Sequence, residues 1–242
     1  GTLNLLNVSR NFFDSLSARN REGFIFHHIS TDEVYGDLEI NDPPFKEINR
    51  YQPNSPYSAS KASSDHLVRA WNRTYGLPTL VSNCSNNYGP FQCIEKLIPM
   101  TITNIIKGQK IPIYGNGLQI RDWLHVNDHV DALIKIVLNG KSNETYNIGT
   151  KNEKTNIEVI KKICEIMDSI HPKKISIDSY KNLIDFVEDR PGHDKRYSID
   201  PTKINNQLGW QGNIDFEEGL KNTIQWYIDN QNWWQSEEDF IK

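Results

Sequence analysis

The sequence predicts an α/β fold organised on a parallel sheet. Short β-rich runs alternate with helical segments, the links between them are brief, and polar clusters follow directly on the strands. Residues 3–18 carry Leu3, Leu5, Leu6, Val8, Phe12, Phe13 and Leu16 at the spacing of an amphipathic helix. No strand precedes that helix, so the chain is expected to begin in the middle of a fold. Phe24-Ile25-Phe26-His27-His28-Ile29-Ser30 reads as a buried strand, with the two histidines as packed side chains rather than ligands. Residues 37–56 are rich in Pro, Asp and Asn and read as a loop. A helix from Tyr57 runs to a stop signal at Gly76 and Pro78, and Thr79-Leu80-Val81-Ser82 forms the next strand.

Further on, a helix over 95–108 ends at Gly108, and Ile111-Pro112-Ile113-Tyr114 is a short strand turned by Gly115-Asn116-Gly117. That G-x-G lacks a third glycine and an opening helix, so it reads as a turn rather than a nucleotide loop. Residues 122–126 lead into a helix through Ala132, Leu133, Ile136 and Val137, and residues 145–149 form a strand. Helices follow at 155–169, 202–208 and 216–230, separated by a polar stretch from Lys173.

The 242 residues suffice for one large domain or two small ones with a real core. A net charge of −4 gives phosphate backbones no basic face, which argues against a nucleic-acid partner. No apolar run approaches the ~18 residues of a membrane span, and no secretory signal is visible. The three cysteines, Cys84, Cys93 and Cys164, are scattered; they fit a reducing compartment such as the cytoplasm and offer no metal-ligand spacing.

Chemistry concentrates in four places. Ser55 and Pro56 suit the N-cap and first position of a helix that places Tyr57 and Lys61 on one face. A cation near a phenol favours the phenolate. The lysine is therefore expected to lower the tyrosine from about 10. Such a tyrosine takes a proton from a sugar or alcohol hydroxyl while hydride leaves for a nicotinamide. Taken alone, a tyrosine and a lysine four apart more often describe a chance pair on a surface helix. Thr31-Asp32-Glu33 follows a strand, at the sheet edge where ligands bind in open α/β folds. Where strand alternation breaks, both carboxyls can line one cleft and divide into acid and base. Asn86 and Asn87 follow the next strand at the same edge. Arg121 and Arg190 are candidates to clamp a diphosphate, because the guanidinium fork matches phosphate oxygens.

Together the motifs resemble one family. Ser30-Thr31-Asp32-Glu33-Val34-Tyr35-Gly36, Tyr57-Ser58-Ala59-Ser60-Lys61 and Asn83-Cys84-Ser85-Asn86-Asn87-Tyr88-Gly89-Pro90 resemble the extended short-chain dehydrogenase/reductases. With Glu95-Lys96-Leu97-Ile98-Pro99, Gln119-Ile120-Arg121-Asp122-Trp123 and Asp189-Arg190-Pro191-Gly192-His193 they are similar, more narrowly, to the dTDP-glucose 4,6-dehydratases. The likeness runs in order from Gly1 to about Trp233. The Thr-Asp-Glu triplet sets this group apart from the 4-epimerases, which lack the Asp-Glu pair, and from the UDP-glucuronate decarboxylases, which have Ser at the place of Asp32. UDP-glucose 4,6-dehydratases share it and stay open as an alternative, beside other sugar-nucleotide epimerases and decarboxylases and a non-catalytic sugar-nucleotide binder.

The resemblance implies an N-terminally truncated Rossmann-like, doubly wound parallel sheet with a smaller mixed α/β sugar-nucleotide domain. Residues 1–93 and about 122–150 would belong to the first, and about 94–121 and 151–242 to the second. It implies a lyase that uses NAD on a dTDP-sugar in deoxysugar biosynthesis, as a homodimer formed through the first helix and residues 58–76. Tyr57 with Lys61 would deprotonate the C4 hydroxyl and Thr31 would bond the same oxygen. Glu33 would take the C5 proton, and a protonated Asp32 would protonate the departing C6 hydroxyl. Tyr57, Lys61 and Asn87 would touch the cofactor. Thr31, Asn86, Lys96, Leu97, Pro112, Ile113, Tyr114, Arg121, Asn156, Arg190 and His193 would surround the nucleotide sugar. The family's G-x-x-G-x-x-G loop has no counterpart in these residues. Roughly the first hundred residues of such a domain would therefore stand before Gly1, and the 242 residues alone are expected to bind NAD weakly and turn over poorly.

Overall fold

The chain opens with an amphipathic helix, α1 (Thr2–Ser15), and a single helical turn, α2 (Ala18–Arg21). These lead into strand β1 (Phe26–Thr31). This computed structural model describes residues 1–173 and 176–241. After a long loop come α3 (Pro56–Tyr75), β2 (Thr79–Cys84) and β3 (Asn86–Tyr88), then α4 (Leu97–Lys107) and β4 (Ile111–Tyr114). β5 (Ile120–His125) runs directly into α5 (Val126–Asn139), followed by β6 (Glu144–Ile148), β7 (Glu153–Thr155) and α6 (Asn156–Ile170). The chain closes with β8 (Ile184–Val187), α7 (Thr202–Leu208), α8 (Phe216–Asp229) and α9 (Gln231–Ile241).

β1, β2 and β6 form a parallel sheet in that order. Its register sets Thr31 opposite Cys84, and Cys84 opposite Ile148. The residues that follow β1 and β2 therefore emerge side by side at one carboxyl edge. A second sheet, β3-β5-β7, continues from there: β3 pairs parallel to β5, with Asn86 opposite Trp123, and β7 pairs antiparallel to β5. A parallel pair, β4 and β8, stands apart. β3 and β7 hold three residues each, too few for a periodicity to register, and β8 lies in the polar stretch after Lys173. The strand at residues 120–125 also goes unread, because its apolar residues are interrupted by Arg121 and Asp122.

α3 has the ends its sequence predicts. Ser55 Oγ accepts the Ser58 amide at 3.0 Å and Ser58 Oγ accepts the Ser55 amide at 3.0 Å, a reciprocal cap ahead of Pro56. Gly76 closes the helix with φ 69°, a left-handed conformation that costs glycine nothing. Ser55→Ala is expected to lower unfolding free energy by about 1 kcal/mol, measured by denaturant titration, because it leaves the Ser58 amide without its acceptor.

β2 is buried from Thr79 to Asn83, whereas β1 is only partly covered and Ile29 is exposed. The expectation of a buried β1 is thus met only at its end, since β1 is the outer strand of its sheet among the described residues. His27 hydrogen-bonds Ser82 Oγ at 3.0 Å and His28 faces Asp65 at 3.0 Å, both as packed groups. The largest apolar core among the described residues joins α4, α6, α8 and α9 to β4 and β5, including Ile102, Ile163, Leu220 and Trp234. Separate clusters flank the β1-β2-β6 sheet, one around Leu80, Leu124 and Trp210, another around Leu6, Val68 and Val81. Residue 230, where the sequence ends its last helix, is a break rather than the end: Asn230 leaves helical geometry and α9 follows.

Candidate active site

At the end of β1 the chain turns into a short 3₁₀ segment, Asp32–Tyr35, and this breaks the strand alternation. Thr31 caps the turn by accepting the Glu33 amide at 3.3 Å. Asp32 is thereby carried inward, to 3% exposure, while Glu33 lines an open cavity. Asp32 Oδ1 accepts the Thr31 hydroxyl at 3.3 Å. Its Oδ2 is buried and has no partner among the described residues. Burial, then the neighbouring charges of Glu33 and Asp122, push the Asp32 carboxyl up to about 8, against the opposing pull of Arg121. Glu33 is also raised by burial, but Arg121, Arg190 and Lys96 all draw it back. One carboxyl is thus held protonated at neutral pH beside another facing three cations.

Tyr57 stands at the start of α3, 55% exposed. Its phenol is raised above its ordinary value by partial burial, then by Glu33, Cys84 and Asp32. This corrects the expectation that Lys61 lowers it. The Lys61 ammonium instead donates to the Ile29 carbonyl at 2.8 Å, across the gap between α3 and β1. The carboxylates that bring Tyr57 into an acid–base group also make its proton harder to remove.

Asn87 donates to the Ser85 carbonyl at 3.1 Å and to Cys84 Sγ at 3.4 Å. Its Oδ1 is buried and unpartnered among the described residues. Asn86 reaches the other side, into the cavity that Glu33 lines. That cavity, about 270 Å³, also takes in Lys96, Leu97, Tyr114, Arg121, Asn156, Arg190 and His193, so β1, β3, β4, β5 and the loop after β8 converge on it. Pro112 and Ile113 do not line it. Alternation along β4 turns Ile113 into the core at 2% exposure, under Gly117.

Arg121 is 4% exposed, with its guanidinium 4.3 Å from the Tyr197 ring and donating to the carbonyls of Ile120 at 2.7 Å and Asp194 at 3.0 Å. A fork so held is rigid before any ligand arrives. His193 is fixed through Nδ1 by Asp189 Oδ1 at 2.7 Å. Asp189 in turn lies against Gly115, where an added Cβ would sit 2.7 Å from its carboxylate. Burial holds the His193 imidazole below its ordinary value, with Asp189 opposing. The cavity also includes Glu95, Met100, Trp123 and Tyr197, which the sequence reading leaves out. Trp123 was within reach of it, since it lies two residues from Arg121 on one strand and shares its face.

The arrangement offers an anion-binding fork and cations at one end, and an acid, a base and a phenol at the other. A family model described as GDP-mannose 4,6 dehydratase matches residues 1–223. A dTDP-glucose 4,6-dehydratase of Neisseria meningitidis serogroup B is 56% identical over 237 residues, 98% of this chain and 67% of that protein. A dTDP-glucose 4,6-dehydratase of Escherichia coli K12 is 55% identical, over 96% of this chain and 66% of its own length. The chain therefore spans about two thirds of the length of these relatives. Among solved structures, the dTDP-glucose 4,6-dehydratase of Bacillus anthracis in complex with NAD superposes with a TM-score of 0.85 at 43% identity, covering 98% of this chain and 69% of that one. By the family match and by this identity to the dTDP-glucose 4,6-dehydratases, the chain belongs to the GDP-mannose 4,6 dehydratase family.

Proposed function

We propose that the protein carrying this chain is an NAD-dependent lyase that converts dTDP-glucose to dTDP-4-keto-6-deoxyglucose, a step of deoxysugar biosynthesis such as that of rhamnose. The observation that carries the reading is the pair Asp32 and Glu33. Burial keeps Asp32 a proton donor at neutral pH, while three cations draw Glu33 back toward the carboxylate. Elimination of water needs such a pair: a base for the C5 proton and an acid for the C6 hydroxyl. Tyr57 takes the proton of the C4 hydroxyl, with Thr31 bonding the same oxygen and Lys61 assisting. The orphaned Asn87 Oδ1 fits the nicotinamide end of the cofactor, because it offers an acceptor to a ligand that brings a donor. Tyr57 and Lys61 would hold that end with it. NAD, when bound there, would supply the reversible hydride acceptor that the chemistry at C4 and C6 needs.

Lys96, Arg121, Arg190 and His193 hold the diphosphate end, with Asn86, Leu97, Tyr114 and Asn156 around the rest of the nucleotide sugar. Residues 1–93 and about 122–150 would form the remainder of the NAD-binding half, and about 94–121 and 151–242 the substrate half, with Ile204 and Trp210 of the second packed against Leu80 and Leu124 of the first. A homodimer through α1 and α3 is supported by Leu3, Leu5, Val8 and Phe12, all exposed on α1. The three free thiols fit the cytoplasm.

The test is incubation of the full-length protein with dTDP-glucose and NMR of the sugar. A 4-keto-6-deoxy product supports the reading, whereas inversion at C4 with every oxygen retained makes the protein an epimerase. Arg121→Lys is expected to weaken dTDP binding by roughly tenfold to a hundredfold in calorimetry, since an ammonium cannot reproduce the fork or its contact with Tyr197.

A further inference from the structure

We propose that Asp194 is a positioning residue that links the anion cavity to the first turn of the catalytic helix α3. The proposal rests on the reading of the cavity as a nucleoside diphosphate site and of Tyr57 as the C4 base. Asp194 is 7% exposed and divides its contacts between the two. One carboxylate oxygen accepts the hydroxyl of Tyr197, whose ring carries the Arg121 guanidinium, and the Asp194 carbonyl accepts directly from Arg121. The other carboxylate oxygen accepts Asn54 Nδ2 at 2.9 Å.

Asn54 is the residue before Ser55, and Ser55 holds the first amides of α3: Ser58 through its side chain and Ala59 through its carbonyl at 2.9 Å. Gly192 lies beside the same asparagine, close enough that a Cβ added there would come 3.9 Å from the Asn54 carbonyl oxygen. The loop that carries Arg190 and His193 therefore rests on the entry to the helix that carries Tyr57. Asn54 and Asp194 are 140 residues apart in sequence, and they join the two ends of the site. A nucleotide that draws Arg121 and the 190–194 loop into one arrangement fixes Asn54, and with it the cap from which Tyr57 projects. Binding energy gained at the diphosphate is thereby spent on orientation at the sugar.

Amide hydrogen exchange at Ser58 and Ala59 of the full-length protein, with and without saturating dTDP, tests this. In the wild type dTDP is expected to slow these amides at least fivefold. Asn54→Ala should keep dTDP affinity within twofold and lose that protection. Asn54 is exposed, so this variant stands whether or not Asp194→Ala folds. Tyr197→Phe should do the reverse, weakening dTDP about tenfold while a saturated sample still shows the protection. In steady state, Asn54→Ala should lower kcat about tenfold and leave KM within twofold, a split that general loss of structure does not produce. Protection in Asn54→Ala equal to the wild type overturns the proposal, as does its absence in a wild type that binds dTDP. Conversion of dTDP-glucose by the wild type is followed in parallel. Protection without conversion sinks the dehydratase reading and leaves the link standing; conversion without protection does the opposite.

Discussion

Asp32→Asn is expected to lower dehydration by roughly 10²–10⁴-fold while leaving exchange of the C5 proton with solvent deuterium in place. Asparagine fills the same buried space but cannot hand a proton to the departing hydroxyl. Glu33→Gln should show the complementary defect, with oxidation at C4 but no exchange at C5. The wild-type rate of elimination should fall as pH rises through about 8, where Asp32 gives up its proton. Stability should follow the same group. The folded value of Asp32 lies above the ordinary 3.8, so between about 3.8 and 8 the folded state binds more protons than the unfolded one. Its contribution is fully present below the unfolded value and is lost as pH rises through the folded one. Asp32→Asn is therefore expected to gain about 1–3 kcal/mol relative to the wild type at pH 8.5, and much less at pH 4. A difference that does not grow with pH places the charge-burial cost elsewhere.

Helix α3 was legible nearly to the residue, because its ends are local chemistry: a serine cap, a proline at the first position and a glycine stop. The carboxyl pair was legible as a pair following a strand. Its division into a fully buried carboxyl and a half-buried one facing cations was not, because that depends on the 3₁₀ turn after Thr31 and on Arg121, 88 residues beyond Glu33 in sequence. Ile113 shows the opposite case. The alternation of β4 places Ile111 and Ile113 inside, so period two alone would have kept Ile113 out of the cavity. The fork of Arg121 was legible as a candidate to clamp a diphosphate, but its stack on Tyr197 and the bridge through Asp194 arise only when β5 and the 190–197 segment meet. α9 was missed because the helical pattern runs on while the backbone breaks at Asn230.

Tyr57→Phe should abolish the first chemical step, lowering C4 oxidation by roughly 10²–10⁴-fold, and C5 exchange should vanish with it. Binding of dTDP should hardly change, because Tyr57 does not line the anion cavity. The deeper consequence concerns proton order. Tyr57 begins above its ordinary value, partly because Glu33 and Asp32 lie close enough to act on it, yet it must lose a proton while Asp32 keeps one until the later step. Groups coupled in this way titrate together. Ionising Asp32 raises the Tyr57 phenol further, and keeping Asp32 protonated relieves it. On the proposed mechanism a protonated Asp32 would therefore serve both steps, as the donor to the leaving hydroxyl and by withholding a charge that would oppose the phenolate. The pH profile of C4 oxidation, read from the single-turnover absorbance of the reduced cofactor, separates the two services. In Asp32→Asn its rising limb should move to lower pH than in the wild type, even as elimination is lost. An unmoved limb would mean that Asp32 acts on the leaving group alone and that Glu33 and partial burial set the tyrosine.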